Sequence, residues 1–238
     1  MHLHSFGTLG VIYEMVMQAT PEFGVKKCIY ADVPWATFLS DPKEFDRLNQ
    51  DKVYISYFTN WQEEKMNSIW TGDAFEPHNG DYSEWMVDYE ELCDATWFDG
   101  HLVKKQHPVP GRSDEPCVDS GFGMWNEKIY HFKPDLPPSS AGDEIQSEFF
   151  VTYGDMPRAV LDLYSQAELF RDLVQITEIR GVAADTIPLS PAKDKSVFGI
   201  HFTWKHDFEG VYFAAEKVQQ ILAKYDYRVH YGKFFHAD

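Results

Sequence analysis

Hydrophobic and polar positions recur with regular periods in the second half of the chain. Four stretches rich in β-branched and aromatic residues are predicted strands: EFFVTY, QITEIRGVA, SVFGIHFTW and RVHYGKFF. Between them, apolar residues recur with helical spacing from Met156 to Leu173 and from Phe208 to Tyr225. The second half is therefore predicted to make two strand–helix–strand passes.

The pattern in the first half is weaker. KKCIYADV and KVYISYFTNW are predicted strands, and Asp41 before Pro42 marks the start of a helix between them. LGVIYEMVMQATPEF is predicted as a further strand, although nothing before it offers a pairing partner. The Pro- and Gly-rich stretches HPVPGRSDEP and KPDLPPSSAGDE are predicted loops within one domain.

This order of elements predicts the α+β class, with a large, mainly antiparallel sheet and helices packed on one face. The acidic stretch from Thr71 to Gly100 interrupts the pattern, because it holds nine carboxylates and no Lys or Arg. Trp85, Tyr89 and Trp97 are interleaved with these carboxylates. We expect the stretch to be an excursion from the sheet that its aromatic residues order in part.

Composition narrows the possible partners and compartments. A formal charge of −17 disfavours binding to nucleic acid or to an anionic membrane surface. The cysteines Cys28, Cys93 and Cys117 are scattered and odd in number, so neither a disulfide framework nor a thiolate zinc site is expected. Because no secretory signal or bilayer-spanning run is evident, the expected location is a reducing cytoplasm.

Candidate chemistry begins with Glu178 and Arg180. In a strand these two side chains point to the same side, whereas Thr177 and Ile179 point to the other. Such a pair is typical of an ordinary solvated sheet face. Whether it has a function depends on which residues the neighbouring strands place beside it.

The strand SVFGIHFTW has two contrasting faces. Its predicted core face carries Phe198, Ile200, Phe202 and Trp204. The opposite face is small and polar, which suits close approach of a planar ligand, and it carries Val197, Gly199, His201 and Thr203.

The strand RVHYGKFF would place Lys233 and Tyr231 on one side. If the three strands are neighbours, Lys233 can converge with the polar residues of the other two. Each member also has a structural explanation: His201 as a hydrogen-bonded histidine, Thr203 as an ordinary strand residue and Lys233 as an edge charge.

Other motifs are weak. His2 and His4 form an HxH pair with no further ligands in the sequence, so no metal site is predicted. The sequence contains no GxSxG elbow and no phosphate-binding loop, so nucleophilic catalysis and nucleotide hydrolysis have no support.

Several motifs fall in the order typical of one flavoprotein family. DEIQSEFFV, ITEIRGVAADTIPLSP, SVFGIHFTW and RVHYGKFF resemble the C-terminal substrate (cap) domain of the FAD-dependent alditol oxidase and D-arabinono-1,4-lactone oxidase family, which is vanillyl-alcohol-oxidase-like. HPVPG and PPSS also resemble that family. The resemblance covers about the last hundred residues in order and spacing, from near Asp143 to the end.

The resemblance implies roles for individual residues. Glu178 and Arg180 of the EIR motif and Lys233 of the HYGK motif are the implied catalytic residues. Thr203, His201 and Tyr231 are the implied substrate-binding residues, Tyr231 replacing a tryptophan of the family pattern. The reaction implied is oxidation of a sugar alcohol or aldonolactone by hydride transfer to FAD, with oxygen as the expected acceptor.

The opening GTLGVIYEMVMQATPEF resembles the strand that closes the family's FAD-binding domain. It implies that residues 1–22 are a remnant of that domain, with Gly10 and Val11 at the cofactor, and that 23–238 is the substrate domain with an acidic insertion at about 71–100. The family's N-terminal half, with the histidine that attaches FAD, has no counterpart in the sequence.

Two interpretations follow for the chain as it stands. The first is the substrate-binding half of an oxidase, inactive unless a separate FAD-domain chain joins it. The second is a non-catalytic remnant, or a module that binds a polyol or a protein. Either way, a truncated sheet would expose apolar surface, so self-association is expected.

Overall fold

A computed structural model of the chain describes residues 8, 10–40, 42–76, 81–136 and 143–237. Its dominant feature is one sheet of ten strands, counted over these residues, in which neighbouring strands pair antiparallel. The strands are β1 Gly24–Pro34, β2 Tyr54–Thr59, β3 Lys65–Phe75, β4 Thr96–Trp97, β5 Gly100–Val103, β6 Gly121–Met124, β7 Ile145–Thr152, β8 Val174–Val182, β9 Val197–Trp204 and β10 Arg228–Val229. Their order across the sheet is β10-β7-β9-β8-β2-β3-β1-β5-β4, and β6 pairs with β1.

The helices are short apart from three. They are α1 Trp35–Leu39, α2 Pro42–Asp51, α3 Tyr89–Leu92, α4 Trp125–Lys128, α5 Met156–Ser165 and α6 Phe208–Leu222. Single 3₁₀ turns lie at Ser83–Trp85, Ala167–Leu169, Arg171–Leu173 and Ala223–Tyr225. The helix α6 begins after Asp207, whose carboxylate accepts a hydrogen bond from the Gly210 amide at 3.0 Å and so caps one free donor.

One face of the sheet, the helix face, packs against α5 and α6. The predicted core residues Phe198, Ile200, Phe202 and Trp204 of β9 lie on it and are fully buried. Apolar residues of the two helices cover them, among them Leu163, Val211 and Val218. The predicted fold class is therefore confirmed, and the two longest strand–helix–strand passes pack their helices on one face. The helix predicted from Met156 to Leu173 ends at Ser165 and is followed by two 3₁₀ turns.

The opposite face, which carries Glu178, Arg180, His201 and Thr203, is called the site face below. Part of it is covered by the segment of residues 104–133, which is irregular apart from β6 and the single turn of α4. Phe132 of this segment packs on a smaller apolar cluster of the sheet that includes Phe58, Trp70 and Ile176. Because this mostly irregular segment covers only part of the face, polar side chains remain accessible between the segment and the edge of the sheet.

The strand predicted over LGVIYEMVMQATPEF is wrong for this chain by itself. Residues 10–23 belong to no strand, and residues 10–22 are exposed, with Val11 98% and Tyr13 97% accessible. A strand gains its stability from a pairing partner and a covered face, and none of the described strands pairs with this segment. The β-branched composition alone was therefore misleading.

The final strand is much shorter than RVHYGKFF, because only Arg228 and Val229 pair with β7. The chain then turns: the Lys233 amide donates to the His230 carbonyl at 3.0 Å. The Gly232 amide donates to the His230 ring at 3.1 Å. The predicted alternation of Tyr231 and Lys233 along a strand is therefore wrong.

The acidic stretch is tied to the sheet more firmly than expected. β3 runs through it to Phe75, and Trp85 and Trp97 pack on Phe75 and Tyr30, with ring centroids 4.2 and 5.3 Å apart. A disulfide joins Cys28 of β1 to Cys93, which contradicts the expectation of unpaired cysteines. It also removes the cysteine-based reason for expecting a reducing compartment.

Among the described residues, no helix combines the length and apolar character that crossing a bilayer requires. His2 and His4 lie outside these residues, as do the serines of PPSS.

The disulfide closes a long loop, since its cysteines lie 65 residues apart. We expect its reduction, or the double change Cys28→Ser and Cys93→Ser, to lower the free energy of unfolding by about 2–4 kcal/mol, because the unfolded chain is no longer constrained. Urea unfolding with and without reductant measures this effect, and the double variant should not respond to reductant. Three reactive thiols per denatured, unreduced chain, in place of the one expected from Cys117, would refute the pairing.

Candidate active site

Three polar residues from adjacent strands form a row on the site face. In the register of the sheet, Glu178 of β8 lies opposite His201 of β9, and His201 lies opposite Glu148 of β7. The two carboxylates are well buried, with side-chain exposures of 13% and 3%. The neighbourhood of β8 and β9 assumed from the sequence is confirmed, and Glu148 is an addition to the set.

Arg180 joins the two carboxylates. Its guanidinium donates from Nη1 to Glu178 Oε2 at 3.1 Å and from Nη2 to Glu148 Oε1 at 3.0 Å. The second bond has to cross β9, and the residue of β9 opposite Arg180 is Gly199. A Cβ atom at Gly199 would lie 2.8 Å from Glu148 Oε1, so the missing side chain leaves room for the ion pair.

Lys233 completes the cluster from the C-terminal segment. Its ammonium donates to Glu148 Oε2 at 2.7 Å, although Lys233 is not in a strand. The turn after β10 brings it there, together with the bond from the Phe234 amide to the Gln146 carbonyl at 2.8 Å. Two carboxylates and two cations thus form a charge cluster with no net charge, defined here as Glu148, Glu178, Arg180 and Lys233.

The surroundings keep the carboxylates ionised. Burial by itself raises the pKa of Glu178, but the contacts with His201, Arg180 and Ser56 outweigh it and hold that pKa well below its ordinary value. Burial also raises the pKa of Glu148, and the charges of Arg180 and Lys233 lower it further than burial raises it. Glu178 is therefore a hydrogen-bond acceptor at neutral pH and a weak base.

A small cavity of about 240 Å³ lies beside the row, and much of its wall is apolar, from Phe58, Pro108, Val109, Phe132 and Ile176. Its polar wall residues are Glu144, Gln146, Gln175, Glu178, His201 and Thr203. The Nε2 atom of His201 is buried and makes no hydrogen bond to any described residue. Buried polar atoms are nearly always paired, so an unpaired ring nitrogen in a cavity wall indicates a place for a polar ligand.

A larger and more apolar cavity of about 410 Å³ lies along the same face. Its walls include Phe150 of β7 and Val182 of β8, each two residues beyond a member of the charge cluster, as well as Tyr231. The charge cluster therefore lies between a small cavity with several polar wall residues and a larger, more apolar cavity.

The structure brings most of the predicted site residues together and leaves two apart. Glu178, Arg180 and Lys233 converge in the charge cluster, His201 and Thr203 line the small cavity, and Tyr231 lines the large one. Gly10 and Val11 lie in the exposed segment before β1, apart from the cluster.

Sequence reasoning missed Glu148, Ser56 and His131. Ser56 of β2 donates to Glu178 Oε1 at 2.8 Å, and His131 Nε2 lies 3.0 Å from the same hydroxyl. Glu148 carried a usable signal, since a carboxylate inside the apolar run SEFFV has to be paired if it is buried. Ser56 looks like any strand serine, and His131 lies in irregular chain without a period.

The ion pair that crosses Gly199 can be tested by filling the gap. We expect Gly199→Ala to lower the free energy of unfolding by about 1–3 kcal/mol, because the new methyl group displaces Glu148 from Arg180. Gly154→Ala is the matched control, since a Cβ there meets nothing within 4 Å. Urea unfolding of both variants measures the difference, and equal stabilities would contradict the tight crossing.

Comparison with known proteins shows a clear similarity to an alditol oxidase. No family model matches the chain. The chain is 30% identical over 239 residues to an alditol oxidase of Streptomyces sp. (strain IKD472 / FERM P-14339), and the aligned part is 97% of this chain and 51% of that protein. The chain spans about half the length of this curated relative, and the similarity supports the resemblance to alditol oxidases at the level of the family.

Proposed function

We propose that the chain is the substrate-binding domain of an FAD-dependent oxidoreductase that oxidises a sugar alcohol or an aldonolactone. The observation that carries the proposal is the convergence of Glu178, Arg180 and Lys233 beside a small cavity with polar groups in its wall, in a chain similar to an alditol oxidase. In this proposal the FAD-binding domain comes from the rest of a longer protein or from a separate chain.

The small cavity suits a compact, polyhydroxylated substrate. Ligand pockets for drug-sized molecules are typically 300–1,000 Å³, so about 240 Å³ fits a smaller molecule. Between its apolar wall residues the cavity offers a hydroxyl from Thr203, an imidazole from His201 and the Gln146 amide. These groups both donate and accept hydrogen bonds, as successive hydroxyls of an alditol require.

The residues around the large cavity fit the planar ring system of a flavin. Phe150, Val182 and Tyr231 give it apolar walls, and the cations Arg180 and Lys233 lie next to it. FAD, when bound, supplies the redox chemistry by accepting a hydride from the carbon that bears the reacting hydroxyl. Arg180 and Lys233 are placed to stabilise negative charge that develops near them.

The charge cluster limits what Glu178 can do. Because its pKa is held low, Glu178 is poorly suited to remove a proton from an alcohol at neutral pH. It is suited to accept a hydrogen bond from a substrate hydroxyl and to keep Arg180 in place. Since Arg180 and Lys233 are balanced by two carboxylates, they act through fixed orientation and not through excess positive charge.

Binding of D-sorbitol, followed by NMR, tests the proposal on the chain itself. We expect Arg180→Gln to weaken binding about tenfold or more, because it removes a charged donor and releases both carboxylates. Arg158→Gln is the matched control, since Arg158 is an exposed arginine of α5 with the same charge.

The control variant should bind D-sorbitol as the wild-type chain does. If the Arg180→Gln and wild-type chains bind D-sorbitol with equal affinity, the charge cluster takes no part in binding the substrate. Absence of any D-sorbitol binding by the wild-type chain would favour a non-catalytic protein-binding module.

A further inference from the structure

Glu178 is held from the β2 side by two residues to which the family resemblance gives no role. The Ser56 hydroxyl lies 2.8 Å from Glu178 Oε1, and His131 Nε2 lies 3.0 Å from that hydroxyl and 3.7 Å from the same carboxylate oxygen. Ser56 is 2% exposed, so it reaches a substrate only through Glu178. Arg180 holds the other oxygen, Oε2.

The hydrogen count fixes the direction of these bonds. A serine hydroxyl has one proton, and the ionised carboxylate can only accept, so Ser56 donates its proton to Glu178. The Ser56 hydroxyl oxygen can then only accept a hydrogen bond from His131. The Nε2 atom of His131 therefore has to carry a proton. The chain of donors therefore runs from His131 through Ser56 to Glu178.

The surroundings of His131 keep its ring neutral and in place. Its ring packs against Trp70, Phe58 and Tyr54, with centroids 5.0, 5.5 and 5.9 Å away. Burial is the main cause that lowers the pKa of His131, to about 4. At neutral pH the ring can therefore donate through Nε2 without adding a charge to the cluster.

The backbone around His131 is held by one bond from the sheet and one from the neighbouring irregular chain. The ammonium of Lys27, a fully buried residue of β1, donates to the Tyr130 carbonyl at 2.9 Å. The Val118 amide donates to the His131 carbonyl at 3.0 Å. These bonds to the carbonyls before and after the His131 Cα atom leave its backbone little freedom to move away from Ser56.

We propose that Ser56 and His131 are positioning residues for Glu178. They hold its carboxylate in a single orientation at the wall of the small cavity, so that it meets a substrate hydroxyl without first rearranging. The inference rests on the proposed function for the identity of the substrate. The state of the His131 ring does not depend on that function and can be measured separately.

The first measurement is the ¹⁵N NMR spectrum of the His131 ring in the full chain at pH 7. The expected result is a neutral ring with its proton on Nε2, and a displaced Nε2 signal in Ser56→Ala, because the acceptor is gone. A proton on Nδ1, a charged ring, or an unchanged signal in Ser56→Ala would overturn the inference.

The second measurement is D-sorbitol binding by matched variants. Ser56→Ala and His131→Phe should each weaken binding about tenfold, since each breaks the chain of donors to a charged acceptor. His131→Gln keeps a donor and should bind more tightly than His131→Phe, which keeps only the ring packing.

Ser147→Ala is the control for a buried serine. Ser147 is fully buried on β7 and accepts from Trp204 Nε1 at 3.1 Å, on the helix face and away from Glu178 and His131. It should bind D-sorbitol as the wild-type chain does.

The outcomes separate the inference from the proposed function. If the wild-type chain does not bind D-sorbitol, the proposed function fails, and the ring spectrum alone decides on the positioning role. If the wild-type chain binds and Ser56→Ala binds equally well, the positioning role is wrong although the substrate class stands.

Discussion

The Arg180 guanidinium, bound to Glu178 on its own strand and to Glu148 two strands away, is the interaction on which the site depends. It crosses β9 at Gly199, where a side chain would stand in its way. Both carboxylates lie in a mostly buried position, and a buried charge is stable only when it is paired. The ion pair therefore needs one residue from each of three neighbouring strands: Glu148 of β7, Gly199 of β9 and Arg180 of β8.

The arrangement of the two faces explains how such a cluster can exist in a stable sheet. The helix face supplies the buried apolar area, with aromatic residues of β9 packed under α5 and α6. The site face is covered only in part, by a mostly irregular segment that brings His131 to β2. One cavity remains on each side of the charge cluster. Stability comes mainly from one face, which leaves the other free to hold polar groups in fixed positions.

The fold and half of the site could be predicted because they rest on local periods. The alternation in SVFGIHFTW separated Phe202 from His201 and Thr203, and the same rule placed Glu178 beside Arg180. The route of Lys233 could not be predicted, because a turn and not a strand brings it to Glu148. The Cys28–Cys93 disulfide and the contact of His131 with Ser56 join residues 65 and 75 apart, and no local pattern encodes such long-range pairs.

The most direct test of the site's function is reduction of a flavin by a polyol at this sheet. The chain would be combined with the FAD-binding domain of an alditol oxidase, D-sorbitol added without oxygen, and the visible absorption of the flavin followed. Bleaching with the wild-type chain, and its loss with Glu178→Gln, is the predicted result. An oxidised flavin that D-sorbitol never bleaches, in a complex shown to have formed, would contradict an oxidase site at the charge cluster.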